Sequence, residues 1–418
     1  IDSGIDLKHE DFVDENGYSR VRSYMDFTGE GKDDVIGHGT HVAGIMGGNG
    51  AMSDGKYTGM APGANFKVAK VFGTKGETDE SVILAAMKWM SDEASGKVDV
   101  INMSLGGPGA ANKDPLSSMA NHLMVKDDIL VVTAAGNEGP FQSSIGSPGN
   151  ARYGLTVGGV DKKGVPVFFS SRGPVRDENG NPIYPGVDIV AYSGDVDLSA
   201  IQQQIIMVDG TPVMVVKDPE TGKLAAVAAP EADTCVYGPG ITAPASSADP
   251  DQICRIDGNP YYRKMSGTSQ ATPQAAGIAT LIEDVANRSG VDPSAFEVKA
   301  VMMETAQSVG HRRETEGAGL INGRRIAETV MDRVKRGIPI GNIAYMLAMR
   351  LTSLDIAKLP QQERYRMTDL GLLDTSTGYL IKDEVELDQA IREIRAVKPM
   401  LYVKETEISS FPTGPIPV

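Results

Sequence analysis

Val98-Asp99-Val100-Ile101-Asn102-Met103-Ser104, then about Pro115 to Val125, then Ile129-Leu130-Val131-Val132-Thr133-Ala134: the order of these three runs decides the fold. The outer two read as strands and the middle one as a helix, so the stretch is a strand, a crossover and a strand. Working outward, Phe66 to Phe72 reads as another strand. Ser81 to Met90 reads as a helix burying Val82, Ala85, Ala86 and Trp89. Further along, Gln270 to about Asn287 and Pro293 to Ala306 are predicted helices. The alternation holds from Ile1 to about Met331 and predicts an α/β fold, a mostly parallel sheet flanked by helices on both faces. Functional groups in such sheets gather at the carboxyl ends of the strands.

The pattern breaks at about 195–260. There Ile205-Ile206-Met207-Val208, Pro212 to Val216 and Leu224 to Val227 are separated by turn residues and read as a small β-rich meander. Residues 338–418 match no familiar pattern. Leu387, Ile391 and Ile394 share one helical face, and Pro412, Pro415 and Pro417 mark an irregular end.

With 418 residues, 41% of them hydrophobic, the chain can fill a sizeable core. The formal charge of −15 argues against nucleic acid as a partner, because a phosphate backbone would be repelled. No apolar run reaches the roughly 18 residues of a membrane span. The two cysteines, Cys235 and Cys254, exclude a disulfide-dense scaffold and a thiolate-rich zinc site, and leave one bridge to expect, which would place maturation in an oxidising compartment.

Three short runs carry chemistry: Ile1-Asp2-Ser3-Gly4, Gly37-His38-Gly39-Thr40-His41-Val42-Ala43-Gly44 and Ser266-Gly267-Thr268-Ser269-Gln270-Ala271-Thr272-Pro273. A serine hydroxyl needs a neutral imidazole to take its proton, and the imidazole needs a buried carboxylate to fix its tautomer. Asp2, His38 and Ser269 supply these in the order Asp, His, Ser. His38 and His41 stand three apart without a matching third ligand, which argues against a metal.

On these motifs the chain resembles the subtilases, the subtilisin-like serine peptidases. The resemblance runs on through Gly146 to Ala151, Leu155 to Val160 and Phe169 to Pro174, and covers about residues 1–337 as a peptidase domain opening within a strand motif, with 195–260 as an insertion and 338–418 as an extension. It implies the three-layer subtilisin-like fold and an endopeptidase acting on polypeptides through an acyl-enzyme on Ser269. Asn137, in Ala134-Ala135-Gly136-Asn137-Glu138-Gly139, takes the oxyanion position. Ser104, Leu105 and Gly106 become one edge for substrate, Ala134, Ala135 and Gly136 line a pocket, and a second edge is expected near Gly73 to Gly76.

Chemistry of this kind requires no cofactor. Asp11 matches a calcium-ligand position of many subtilases, although the loop Gly47 to Tyr57 is not the usual ligand loop. Gln270 and Gln274 stand where the family commonly has Met and His. The resemblance also implies a secreted or otherwise extracytoplasmic protein, with upstream residues completing the Asp2 strand. Alternatives are a restricted processing or transamidating subtilase and, in another class, a non-catalytic pseudoprotease scaffold. A lost triad or oxyanion residue would mark the latter, and none is lost.

Overall fold

The computed structural model describes residues 1–110, 113–177, 179–194, 203–208, 211–217, 224–227, 240–250, 255–256, 258–343, 346, 349 and 416–417. Four parallel strands, Val100–Met103, Leu130–Ala134, Leu155–Val160 and Ile189–Tyr192, lie side by side in that order. A second parallel pair, Val21–Asp26 with Phe66–Lys70, forms a two-stranded sheet of its own. The first residues join the two pieces. Asp2 N–H donates to Ala69 O (3.1 Å), Val71 N–H donates to Asp2 O (2.8 Å), and the Ile1 nitrogen reaches Asn102 O (3.2 Å).

Helices cover the layer as expected for parallel strands. They are α1 His38–Gly47, α2 Glu80–Met90, α3 Pro115–Val125, α4 Thr268–Arg288, α5 Ala295–Glu304, α6 Arg313–Glu316 and α7 Gly323–Arg336. α3 starts where its sequence says it should, with Pro115 in the first turn and the Asp114 carboxylate accepting from Ser117 N. α5 carries a full capping box between Ser294 and Glu297. α4 runs through the centre of the core, burying Ala271, Ala275, Ala276 and Ala279. These small side chains let the helix lie close to the sheet.

α2 corrects one expectation. The buried stripe is Ile83, Ala86, Met87 and Met90, whereas Ala85 is exposed and Val82 and Trp89 are half-buried. Both stripes obey helical spacing, and the one with the larger aliphatic volume faces the core. Trp89 instead packs edge-on to Phe27, with Lys67 Nζ 4.3 Å above its ring.

In the region read as a meander, Gln203–Val208, Thr211–Lys217 and Leu224–Val227 pair antiparallel in sequence order. A separate antiparallel set joins Ile241–Pro244, Asn259–Met265 and Arg255–Ile256. Cys235, Cys254, Leu387, Ile391 and Ile394 lie outside the described residues, and the bridge and helical face expected there with them.

Candidate active site

Asp2 and His38 sit on segments far apart in sequence and meet in the interior. His38 Nδ1 donates to Asp2 Oδ1 at 2.8 Å, and Ser3 N–H adds a second bond to the same oxygen at 2.7 Å. Asp2 is 7% and His38 2% exposed, so the contact is shielded from water. Burial alone would raise the Asp2 pKa. The His38 ring first, then the Ile1 amino group and the Ser3 N–H, together outweigh it and hold the carboxylate below its ordinary range. With Nδ1–H committed to Asp2, Nε2 of a neutral ring is left as the acceptor.

His38 opens α1, and its neighbours explain how it reaches Asp2. Gly39 permits the approach, since a Cβ there would stand 2.2 Å from Gly4 O. Gly37, the N-cap, has no side chain to hold the first helical N–H groups. Asp34 does this work. Its fully buried carboxylate accepts from Gly37 N (2.9 Å), Thr40 N (2.8 Å), Thr40 Oγ1 (2.6 Å) and Ser3 Oγ (2.8 Å), while Ser3 Oγ accepts from Gly39 N (2.8 Å). Asp34 and Ser3 thus tie the two segments together. The sequence reading missed both, and the only available signal was an acid three residues ahead of a side-chain-less helix start.

His41, one turn on, is buried and donates from Nε2 to Ile241 O (3.0 Å). Burial, with Arg263 and His38 nearby, pushes its pKa down to about 3, so the ring is neutral.

Ser269 lies in the first turn of α4, with Gly267 as N-cap. Its hydroxyl donates to Ser104 O (3.2 Å), and Ser104 Oγ donates back to Ser269 O (2.9 Å). The second bond has a cause in the sequence. Pro273 stands four residues after Ser269 and has no N–H, so the Ser269 carbonyl lacks its helical partner and Ser104 replaces it. Asn137 is exposed, and its amide oxygen accepts from Thr268 N and Thr268 Oγ1, both at 3.0 Å. With the oxygen held there, Nδ2 is the donor end of the amide.

Ser104 and Leu105 are buried and Gly106 half-buried, directly after the Val100–Met103 strand. Ala134 ends the neighbouring strand Leu130–Ala134, and Ala135 and Gly136 follow it. Gly136 has φ +104°, and a Cβ there would meet the Glu138 carboxylate at 2.3 Å. Glu138, which also accepts from Ser171 Oγ (2.8 Å), therefore brings a negative charge to that wall. Residues 73–76 are not extended. Gly76 N bonds Gly73 O (3.0 Å) and Glu30 takes the Thr74 N–H (2.7 Å), closing a turn ahead of the short strand Glu77–Thr78. Gln270 is fully buried, and neither end of its amide has a partner among the described residues. Asp11 is buried away from these groups and faces Tyr262 and Met52 N–H.

Residues 1–320 match the subtilase family, peptidase S8. The chain belongs to the subtilase family. It is 29% identical over 301 residues to the serine protease AprX of Bacillus subtilis (strain 168), covering 68% of this chain and 55% of AprX. Identity is 33% over 211 residues with a subtilisin of Bacillus sp. (strain TA39), covering 48% of this chain and 47% of that protein. With proteinase T of Parengyodontium album it is 33% over 200 residues, covering 47% and 61%. The chain thus spans about half the length of the curated relatives it matches.

Among solved structures, the prenylagaramide maturation protease PagA superposes with a TM-score of 0.52 at 20% identity, over 80% of this chain and 91% of that one. A mutant of the protease domain of PatA gives 0.50 at 20% identity, over 81% and 94%. At such identity the likeness speaks for the fold, which is the mixed α/β subtilase fold. Among the described residues no helix is long and apolar enough to cross a membrane.

Proposed function

We propose that this subtilase is a serine endopeptidase acting on polypeptides through an acyl-enzyme on Ser269. The observation that carries the reading is the buried 2.8 Å contact between His38 Nδ1 and Asp2 Oδ1, because a fixed tautomer is what makes an imidazole a directional base. His38 Nε2 takes the Ser269 proton as Oγ attacks the scissile carbonyl. Asn137 Nδ2 and the Ser269 N–H, at the amino end of α4, stabilise the oxyanion. His38 then returns the proton to the leaving amine, and a water molecule activated the same way releases the acyl group. Ser104 to Gly106 pair with the substrate backbone, and Ala134 to Gly136 receive the side chain before the scissile bond.

Backbone pairing of this kind tolerates many sequences, so broad specificity follows. Restricted processing or transamidation is the second reading. It draws on the likeness to a maturation protease, which concerns fold alone, so hydrolysis of broad scope stands as the conclusion. The scaffold reading loses ground because Asp2, His38, Ser269 and Asn137 are all present. Action outside the cytoplasm belongs to the same proposal, supported by similarity to the minor extracellular protease Vpr of Bacillus subtilis.

The test is an active-site serine probe followed by peptide mapping, with peptide hydrolysis measured in parallel. Label on Ser269 and loss of nearly all activity in Ser269→Ala are expected, with His38→Ala adding little to that loss because the groups act as a unit. Near-normal hydrolysis by Ser269→Ala would remove the assignment.

A further inference from the structure

The resemblance raises a calcium ion at Asp11, yet the atoms facing that carboxylate are donors. Tyr262 Oη donates to both carboxylate oxygens, 2.8 Å from each, and Met52 N–H donates to Oδ1 at 3.1 Å. A calcium ion requires six to eight oxygen lone pairs at about 2.3–2.6 Å. Here a phenol proton and an amide proton lie along those directions.

The surrounding oxygens are committed as well. The Arg20 side chain is 3% exposed, and Nη2 donates to Asp11 O and Gly47 O (2.7 Å) while Nη1 donates to Ala64 O (2.7 Å). The loop asparagine is turned to other work, Nδ2 of Asn49 donating to Val13 O (2.7 Å) and Oδ1 accepting from Ala51 N (3.0 Å). Arg20 also lies over the Phe66 ring at 5.5 Å.

We infer that Arg20 and Tyr262 form a metal-free clasp that replaces a cation at Asp11. The guanidinium is the positive centre, gathering carbonyls from the Asp11 turn, the end of α1 and the approach to the Phe66–Lys70 strand. The Tyr262–Asp11 bonds then tie this corner to the Asn259–Met265 strand. A covalently attached cation pays no binding equilibrium, so this corner keeps its stability whatever the calcium concentration. Burial lowers the Arg20 pKa and Asp11 and Asp14 oppose that fall, and a guanidinium stays charged at any pH where the protein is folded. The inference rests on these contacts alone and stands or falls independently of the peptidase reading.

Thermal unfolding of the full chain in EGTA and in millimolar calcium tests it. The wild-type midpoint is expected to be the same in both. Arg20→Met, which takes one donor from each of the Asp11, Gly47 and Ala64 carbonyls and leaves Asp11 O only the Asn49 N–H, should lower the midpoint by roughly 5–10 °C, and Tyr262→Phe by less, each by the same amount in both solutions. A calcium-dependent rise that Asp11→Asn abolishes would overturn the clasp, whereas a rise that Asp11→Asn leaves whole arises elsewhere and supports it. Should Asp11→Asn not fold, terbium replaces calcium, since an ion at Asp11 would draw sensitised emission from the Tyr262 ring beside it. Emission abolished by Tyr262→Phe overturns the inference. Emission that is absent, or unchanged in that variant, upholds it.

Discussion

Two side chains that do no chemistry in the proposed reaction hold the pair that does. Asp34 accepts four hydrogen bonds, three from the start of α1 and one from Ser3 beside Asp2. Replacing it by Asn keeps the shape and turns one acceptor into a donor aimed at other donors, which pushes the His38 segment away from Asp2. A displacement of the order of 1 Å in such a pair costs up to about 10²-fold in rate. Asp34→Asn should therefore lower kcat by roughly 10- to 100-fold with KM nearly unchanged. Because the effect passes through the Asp2–His38 contact, adding Asp34→Asn to Asp2→Ala should cost little more. Full additivity in that cycle would show Asp34 to be a stabilising residue without a positioning role, and an inert Asp2→Ala would count instead against the proposed function. Of the residues that sequence motifs named, Asp2 and His38 meet directly, and Asn137 meets Thr268 beside Ser269. Asp34, Ser3 and Glu138 stayed illegible because a buried carboxylate acquires meaning only from donors brought together by folding.

At the scale of elements, the sequence marked where strands and helices lie better than which way they face. α3 runs over the predicted residues because Asp114 and Pro115 fix its start, and α5 is announced by its capping box. α2 has no such marker of rotation. Positions 82, 85, 86 and 89 fit the helical period as well as 83, 86, 87 and 90, and only packing against the sheet chooses. The observed choice has a measurable consequence. Met87 is fully buried, so Met87→Ala should cost about 2–5 kcal/mol in denaturant unfolding. Ala85→Lys, on the exposed face, should change stability by less than about 0.5 kcal/mol. Comparable losses at both positions would mean that the helix is rotated from the orientation described. The Ser104–Ser269 exchange shows the same division, since Pro273 announces a missing helical donor and nothing in the sequence says that Ser104 fills it.

Across the whole molecule, two buried groups set opposing pH limbs. Glu283, on α4, has its pKa raised from 4.5 to about 8 by burial first and then by Asp99, Asp292, Asp128 and Glu297. Between those pH values the folded chain keeps a proton that the unfolded chain has released, so stability falls as pH rises through that window. His41 runs the other way. Its pKa is lowered from 6.5 to about 3, so the unfolded chain binds the extra proton and stability falls as pH drops from 6.5 toward 3. The depressed Asp2 adds to the acid side, its contribution being present above the ordinary carboxylate range and lost below it. The sum is a stability maximum between about pH 4.5 and 6.5, where the two limbs oppose each other, with decline on either side. Glu283→Gln should flatten the alkaline limb and raise the unfolding midpoint above pH 8. His41→Gln, which keeps a donor for Ile241 O, should flatten the acid limb and leave the alkaline one intact. Midpoints measured from pH 3 to 9 for the three proteins decide the matter: an alkaline decline that survives Glu283→Gln unchanged would assign that limb to other groups and leave Glu283 ionised in the fold.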